Sequence, residues 1–112
     1  MDVIDFVEKA LNIRTFYHKI LAGNIANAET PNYKEKDIDF QKELEKQLSG
    51  IKTFDIVEKT ENEGISTLDG NTVNIESQMV KLNENSMLYS ALVQLISKKF
   101  SIMRYIINEG RR

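Results

Sequence analysis

The feature that most restricts what this chain can become lies in its last third. Ile75, Met79, Leu82, Ser86, Tyr89, Val93, Ile96, Phe100, Met103 and Ile107 follow one another at alternating steps of four and three, and all but Ser86 carry an apolar body. A repeat of about 3.5 residues sustained this way specifies one long helix with a coiled-coil-like seam. A second stripe, Leu88, Leu92, Leu95, Ile102 and Ile106, runs beside its later half. Two stripes about 100° apart make an apolar face wider than one partner helix covers. The core helix of an ordinary bundle has the same periodicity, so the pattern alone leaves both readings open. The small amount of chain left to cover such a helix favours a face completed by other chains.

With 112 residues there is room for at most one domain. A net charge of −2 carries no basic excess, which argues against a nucleic-acid partner. The absence of cysteine excludes disulfides and thiolate metal sites. No apolar run reaches the length that spans a bilayer, so no direct membrane insertion is expected. The start, MDVIDFVEKALNIRTF, alternates charged and apolar residues where a Sec-type signal would have a basic stretch and then a greasy core. Passage out of the cytoplasm would therefore need another route.

Residues 2–28 read as a second amphipathic helix. Val3, Val7, Ala10, Ile13, Tyr17, Ile20 and Asn24 line one face, with Ile4, Leu11 and Leu21 beside it. Asp2 and Asp5 suit the positive end of its dipole. Ala22, Gly23, Ala26 and Ala28 make its second half small, which lets another backbone approach closely. Pro31 then ends the helix, and Pro31-Asn32 matches the centre of a type II turn, whose second position needs φ > 0.

Residues 34–64 are highly charged and sparsely apolar. Asp39 can cap a short helix through Leu48, with Phe40, Leu44 and Leu48 on one side and Gly50 as its stop. Thr53 to Val57 predict a brief strand without an evident partner, and Glu58 to Gly64 a solvated loop. Such a stretch cannot bury a core of its own and is expected as a small surface insert. Asp69-Gly70-Asn71 signals a turn, Asn74 caps the long helix with Glu76 in its first turn, and Gly110 suits its C′ position. Arg104, Arg111 and Arg112 complement the negative end of the dipole. The expected fold class is mainly α. Helices 2–28 and 75–110 of a single domain 1–112 pair as an antiparallel coiled-coil-like hairpin, and residues 29–74 form a turn, an extended segment and the charged insert.

Reactive chemistry is thin. His18 is the single histidine and falls opposite the Tyr17 and Ile20 side, as a solvated residue would. Asp37, Asp39, Glu43 and Glu45 lie in a lysine-rich stretch expected to be mobile, without the dry, preorganised setting that acid–base catalysis needs. The glycines are scattered rather than gathered in a phosphate loop, and Glu76, Lys81 and Glu84 read as the wet face of the long helix. No catalytic residue, cofactor or metal site is expected, and an enzyme is excluded. What remains is two sticky terminal helices and an isolated monomer of marginal stability, ordered by packing against copies or relatives.

Asn24-Ile-Ala-Asn-Ala-Glu-Thr-Pro-Asn-Tyr-Lys34, followed by Asp37-Ile-Asp-Phe40, resembles the N-terminal signature of the bacterial flagellar rod and hook axial proteins, which is close to N-I-A-N-A-x-T-P-G-Y-K. Asp69-Gly-Asn-Thr-Val-Asn74, Met79-Val-Lys-Leu-Asn-Glu-Asn85 and Tyr89-Ser-Ala-Leu-Val-Gln-Leu-Ile-Ser-Lys-Lys-Phe-Ser101 resemble the C-terminal pattern of proximal rod members. Asn32 stands where that family usually has Gly, and Asn74 where it usually has Asp. The resemblance implies a structural subunit whose terminal helices stack into a hollow helical tube. It implies packing between subunits by Ala22, Gly23, Asn24, Ile25, Ala26 and Asn27, and by Tyr89, Leu92, Val93, Ile96, Phe100, Met103 and Ile107, with Thr30, Pro31, Asn32 and Tyr33 as the turn motif. The partners it implies are copies of itself, other rod proteins such as FlgC, the adaptor FliE and the MS ring. It also implies export by the type III apparatus without a cleaved signal, to the basal body in the cell envelope. A second reading is a helical type III export chaperone or adaptor that binds a partner helix in its apolar stripe.

Overall fold

The computed structural model describes residues 2–59 and 70–110. Gly64, Asp69, Arg111 and Arg112, expected above in loop, turn and capping roles, lie outside the described residues. The elements in chain order are α1 (Val3–Ala26), β1 (Lys36–Asp37), α2 (Phe40–Leu48), β2 (Val57–Glu58) and α3 (Ile75–Gly110). The protein is mainly helical, and the two long terminal helices pack against each other.

α1 starts where Asp2 accepts the Ile4 N–H at 3.3 Å, satisfying one of the amides that a helix start leaves free. Val7, Ile13, Tyr17, Ile20, Leu21 and Asn24 are buried, which is the face the 3.6-residue period selects. Beyond it the Tyr33 N–H donates to the Thr30 carbonyl at 3.3 Å, and Asn32 takes φ 62°, as a type II turn demands at its second central position.

β1 pairs antiparallel with β2, Lys36 opposite Glu58 and Asp37 opposite Val57. The strand expected over 53–57 is thus shorter and later, and its partner is the stretch just after the turn. Phe54 is held by ring stacking rather than by a ladder, since it lies 4.1 Å from Phe16 with the rings 8° from parallel. Asp39 caps α2 by accepting the Lys42 N–H at 3.2 Å, and Gly50 follows the helix at φ 87°.

The middle segment is not the detached surface insert that its composition suggests. Ile38 is buried with Ile13, Tyr17, Ile20 and Leu21, and Phe40, Leu44 and Phe54 pack on that cluster. α2 is also rolled from its expected setting: Glu43 and Gln47 face inward while Leu48 is partly exposed. The reason is electrostatic as well as apolar, because Glu43 accepts the Asp55 N–H at 3.1 Å and lies 3.4 Å from the Lys46 ammonium.

Asn24 bonds Gln78 and Arg14 bonds Asn85, so α1 and α3 run antiparallel. The face of α3 turned onto α1 differs from the expected seam. Gln78 and Asn85 are buried and Leu82, Leu92 and Ile96 half-buried, whereas Ile75 and Met79 remain 44% and 53% exposed. α3 has 36 residues and α1 has 24. At about 1.5 Å per residue the longer helix overhangs by roughly 18 Å. Every described residue from Ser97 to Gly110 is exposed, and the molecule is a rod of 71 × 27 × 16 Å.

Candidate assembly surface

The closed end of the hairpin is tied by asparagine side chains. Asn24, with no exposed surface, uses its whole hydrogen-bonding capacity. Its Nδ2 donates to the Lys36 carbonyl and to Gln78 Oε1, each at 2.8 Å, and its Oδ1 accepts from the Lys36 N–H at 3.0 Å and the Tyr33 hydroxyl at 3.2 Å. Asn71 Nδ2 donates to the carbonyls of Asn27 (2.9 Å) and Thr30 (2.8 Å). Thr72 joins the same tie: its N–H donates to the Tyr33 carbonyl at 3.1 Å and its hydroxyl accepts the Glu35 N–H at 2.8 Å. The turn that leaves α1 is therefore fastened to the strand of chain that enters α3.

Charges inside the fold are matched. Glu35, nearly fully buried, lies 2.7 Å from the Lys59 ammonium and 3.9 Å from that of Lys81, and the hydrogen bond to Glu35 raises the Lys59 pKa. Asp55 is held below the usual carboxylate range by its bonds to Lys46 and then Lys42. The Arg14 guanidinium sits 3.9 Å over the Phe40 ring, and the same ring meets Tyr17 edge-on at 4.8 Å. Burial, reinforced by the charge of Asp37, lifts the Tyr17 phenol to about 12.

These charged groups are engaged with partners inside the fold. Glu43 is fully buried, not mobile, but it is spent on Lys46 and the Asp55 amide. A groove of about 370 Å³ lies between α1 and α3, lined by Arg14, His18, Lys19, Asn85 and Tyr89 among others. Among the described residues no three His, Cys, Asp or Glu side chains converge as metal ligands, and no helix is long and apolar enough to cross a membrane.

The residues proposed for packing between subunits divide into two groups. On α1, Ala22 and Ala26 are exposed, Gly23, Ile25 and Asn27 half-buried, and Asn24 is wholly inside its own chain. A Cβ at Gly23 would meet only the Tyr33 hydroxyl, at 4.0 Å, so the small-residue patch is not filled from within. On α3, Tyr89, Val93, Phe100, Met103 and Ile107 are exposed and Leu92 and Ile96 half-buried. The fold keeps the two groups apart. Gln78 marks the α1 patch and Met103 the α3 patch, and along the helix that separation is roughly 38 Å. In the turn motif Thr30, Pro31 and Asn32 are exposed, while Tyr33 is half-buried on Asn24. Gln78 and Asn85, one heptad apart, were missed as structural residues; two amides at that spacing inside an apolar repeat were the available signal.

No family model matches the sequence. Among known proteins it is similar to the flagellar basal body rod protein FlgB of Bacillus subtilis, 31% identical with 96% of this chain and 95% of the relative covered. It is also 32% identical to the FlgB of Buchnera aphidicola, over 94% of this chain and 93% of the relative. The FlgB of Escherichia coli is 30% identical, over 94% and 92%. The chain belongs to the FlgB family of flagellar basal body rod proteins. FlgB membership fits the ends as well as the middle, since the match runs over nearly the whole chain. The alignment with the B. subtilis FlgB spans 122 positions against 112 residues here, so that relative carries residues with no counterpart in this chain.

Proposed function

We propose that this FlgB-family chain is a non-catalytic structural subunit of the proximal rod, polymerising through its terminal helices into the hollow drive shaft above the MS ring. The observation that carries this reading is the overhang of α3, where Phe100, Ile102, Met103, Tyr105, Ile106 and Ile107 are each 40% or more exposed on an ordered helix. Leaving so many large apolar groups in water forgoes about 1.5–3 kcal/mol for each one that could be fully buried. Contiguous faces of that kind mark association sites.

The exposed Ala22 and Ala26 face at the other end of the hairpin offers the complementary half, because small side chains let a neighbouring helix approach closely. Head-to-tail contact between two different patches gives a ring or an open helical stack rather than a two-fold dimer, and the drive-shaft reading takes the open form. Copies of itself, the rod protein FlgC, the adaptor FliE and the MS ring are the proposed neighbours. Delivery is proposed through the type III apparatus without a cleaved signal.

The test is Phe100→Asp with Ile107→Asp, and separately Ala26→Leu or Gly23→Leu, in a cell lacking the native gene. The expected result is a soluble, helical subunit that is exported but absent from isolated basal bodies, with motility lost. Motile cells carrying the double Asp variant would overturn the proposal. A protein retained in the cytoplasm as a stable dimer would favour the export chaperone or adaptor reading instead.

A further inference from the structure

α3 has two faces that could seat on α1. One is Met79, Ser86 and Val93; the other is Gln78, Asn85 and Leu92; Ile75, Leu82, Tyr89 and Ile96, each a heptad apart, belong to both. A roll of α3 by about 50° converts one into the other, at 3.6 residues per turn. Apolar burial alone favours the first. The folded chain takes the second, placing two amides inside and leaving Met79 and Val93 outward. We propose that the pairs Asn24–Gln78 and Arg14–Asn85 select the rotation and register of α3 on α1, and thereby which apolar face is left for neighbours.

The geometry is specific to one register. Gln78 Oε1 accepts from Asn24 Nδ2 at 2.8 Å. One heptad on, Asn85 bonds Arg14 twice: its Nδ2 donates to the Arg14 backbone carbonyl at 2.9 Å, and its Oδ1 accepts from the guanidinium at 3.2 Å. Rolling α3 would turn Gln78 and Asn85 toward solvent and leave the fully buried Asn24 Nδ2 one acceptor short, and slipping would part both pairs; buried polar groups in helical seams fix register for this reason. Gln78 Nε2 is itself buried without a hydrogen bond, so the seam is not the most stable one this backbone could carry. The effect on the pair is local to the hairpin; its consequence for assembly rests on the rod-subunit reading.

The chain has no cysteine, so Asn12→Cys and Ala91→Cys, both at exposed positions of the paired helices, accept spin labels cleanly. The labelled protein should give one narrow distance. Adding Gln78→Leu and Asn85→Leu removes both amides from the α3 side of the seam. The melting temperature should then hold or rise while the distance distribution splits or broadens, with a population displaced by up to about 10 Å, one heptad of slip. A single unshifted distance of unchanged width overturns the proposal. Loss of the helical signal also overturns it, since the pairs would then hold the hairpin together rather than choose its setting. Leu82→Ala is the control for general loosening: it should lower the melting temperature and leave the distance alone, and a comparable broadening there counts against the proposal. All readouts are on the isolated chain, so their failure is distinct from a failure of the rod reading, which is scored on basal bodies.

Discussion

α3 carries one apolar repeat from Ile75 to Ile107, yet its two ends meet different surroundings. Up to Ile96 it lies along α1, with Gln78 and Asn85 buried and matched to Asn24 and Arg14. From Ser97 to Gly110 the same kind of pattern continues with every described residue exposed. The packed end has amides at the centre of its seam, whereas the stripe of the open end, Phe100, Met103 and Ile107, is apolar throughout. A helix pattern therefore reports that a face will be covered, not by whose atoms. In the first half polar pairs designate the partner within the chain; for the second, the rod-subunit proposal assigns the coverage to neighbouring molecules.

The contrast breaks most sharply under truncation of one large side chain in each region. Leu21 is 1% exposed among Ile13, Tyr17, Ile20 and Ile38. Leu21→Ala should cost about 2–5 kcal/mol of monomer stability, through lost burial and the cavity left behind. Phe100, 48% exposed, should change the isolated chain by no more than about 0.5 kcal/mol when replaced by Ala. Paired urea melts of the two variants check this. Equal losses would mean that α3 beyond Ile96 is covered within the monomer after all.

Alkaline titration sharpens the same difference at the packed end. Burial, with the charge of Asp37 adding to it, lifts the Tyr17 phenol from 10.0 to about 12 in the folded chain. Between those values the unfolded chain releases a proton that the folded chain keeps, so stability falls as pH rises. The contribution is intact below pH 10 and gone near pH 12, and two pH units correspond to at most about 2–3 kcal/mol. Tyr17→Phe should flatten that limb of the stability profile, read as melting temperature against pH. An unchanged slope would mean that the phenol reaches water in the fold.

Much of this architecture was legible in the residues. The inward face of α1, the Asp39 and Asn74 caps and the turn at Asn32 follow from local rules of period, capping and backbone sign, and local rules need no knowledge of partners. Three features were not legible, and each depends on contacts distant in sequence. The partner of Val57–Glu58 is Lys36–Asp37, about twenty residues away. Glu43 is buried only because the Asp55 amide and Lys46 come to it. The seam of α3 turns on amides whose partners lie fifty-four and seventy-one residues away, so a reading that sorts residues into apolar and polar puts Gln78 and Asn85 on the wrong side. As for the proposed packing surface, the α3 residues were visible as a pattern and the period already placed Asn24 on the apolar face of α1, but its four simultaneous bonds within the chain were not visible, because asparagine beside small residues on a helix gives no hint of them.

The smallest effect separates conformation from contact at the turn that closes the packed end. Asn32 is exposed and adopts φ 62°, a left-handed conformation in which a β-branched side chain collides with its own backbone. Asn32→Val should therefore cost about 1–2 kcal/mol although no hydrogen bond or buried surface is lost at the side chain. Asn32→Gly, which removes the strain as well as the side chain, should stay within about 0.5 kcal/mol, the gain in folded-state comfort being offset by the greater freedom of the unfolded chain. Both are read from equilibrium melts of the isolated subunit. Because the Tyr33 N–H and the Asn71 amide both bond to the Thr30 carbonyl, a strained turn also loosens the tie between α1 and α3, and hydrogen exchange at Tyr33 and Val73 should quicken in the Val variant. Exchange in the overhang beyond Ile96 should stay as it was, since nothing there depends on the turn.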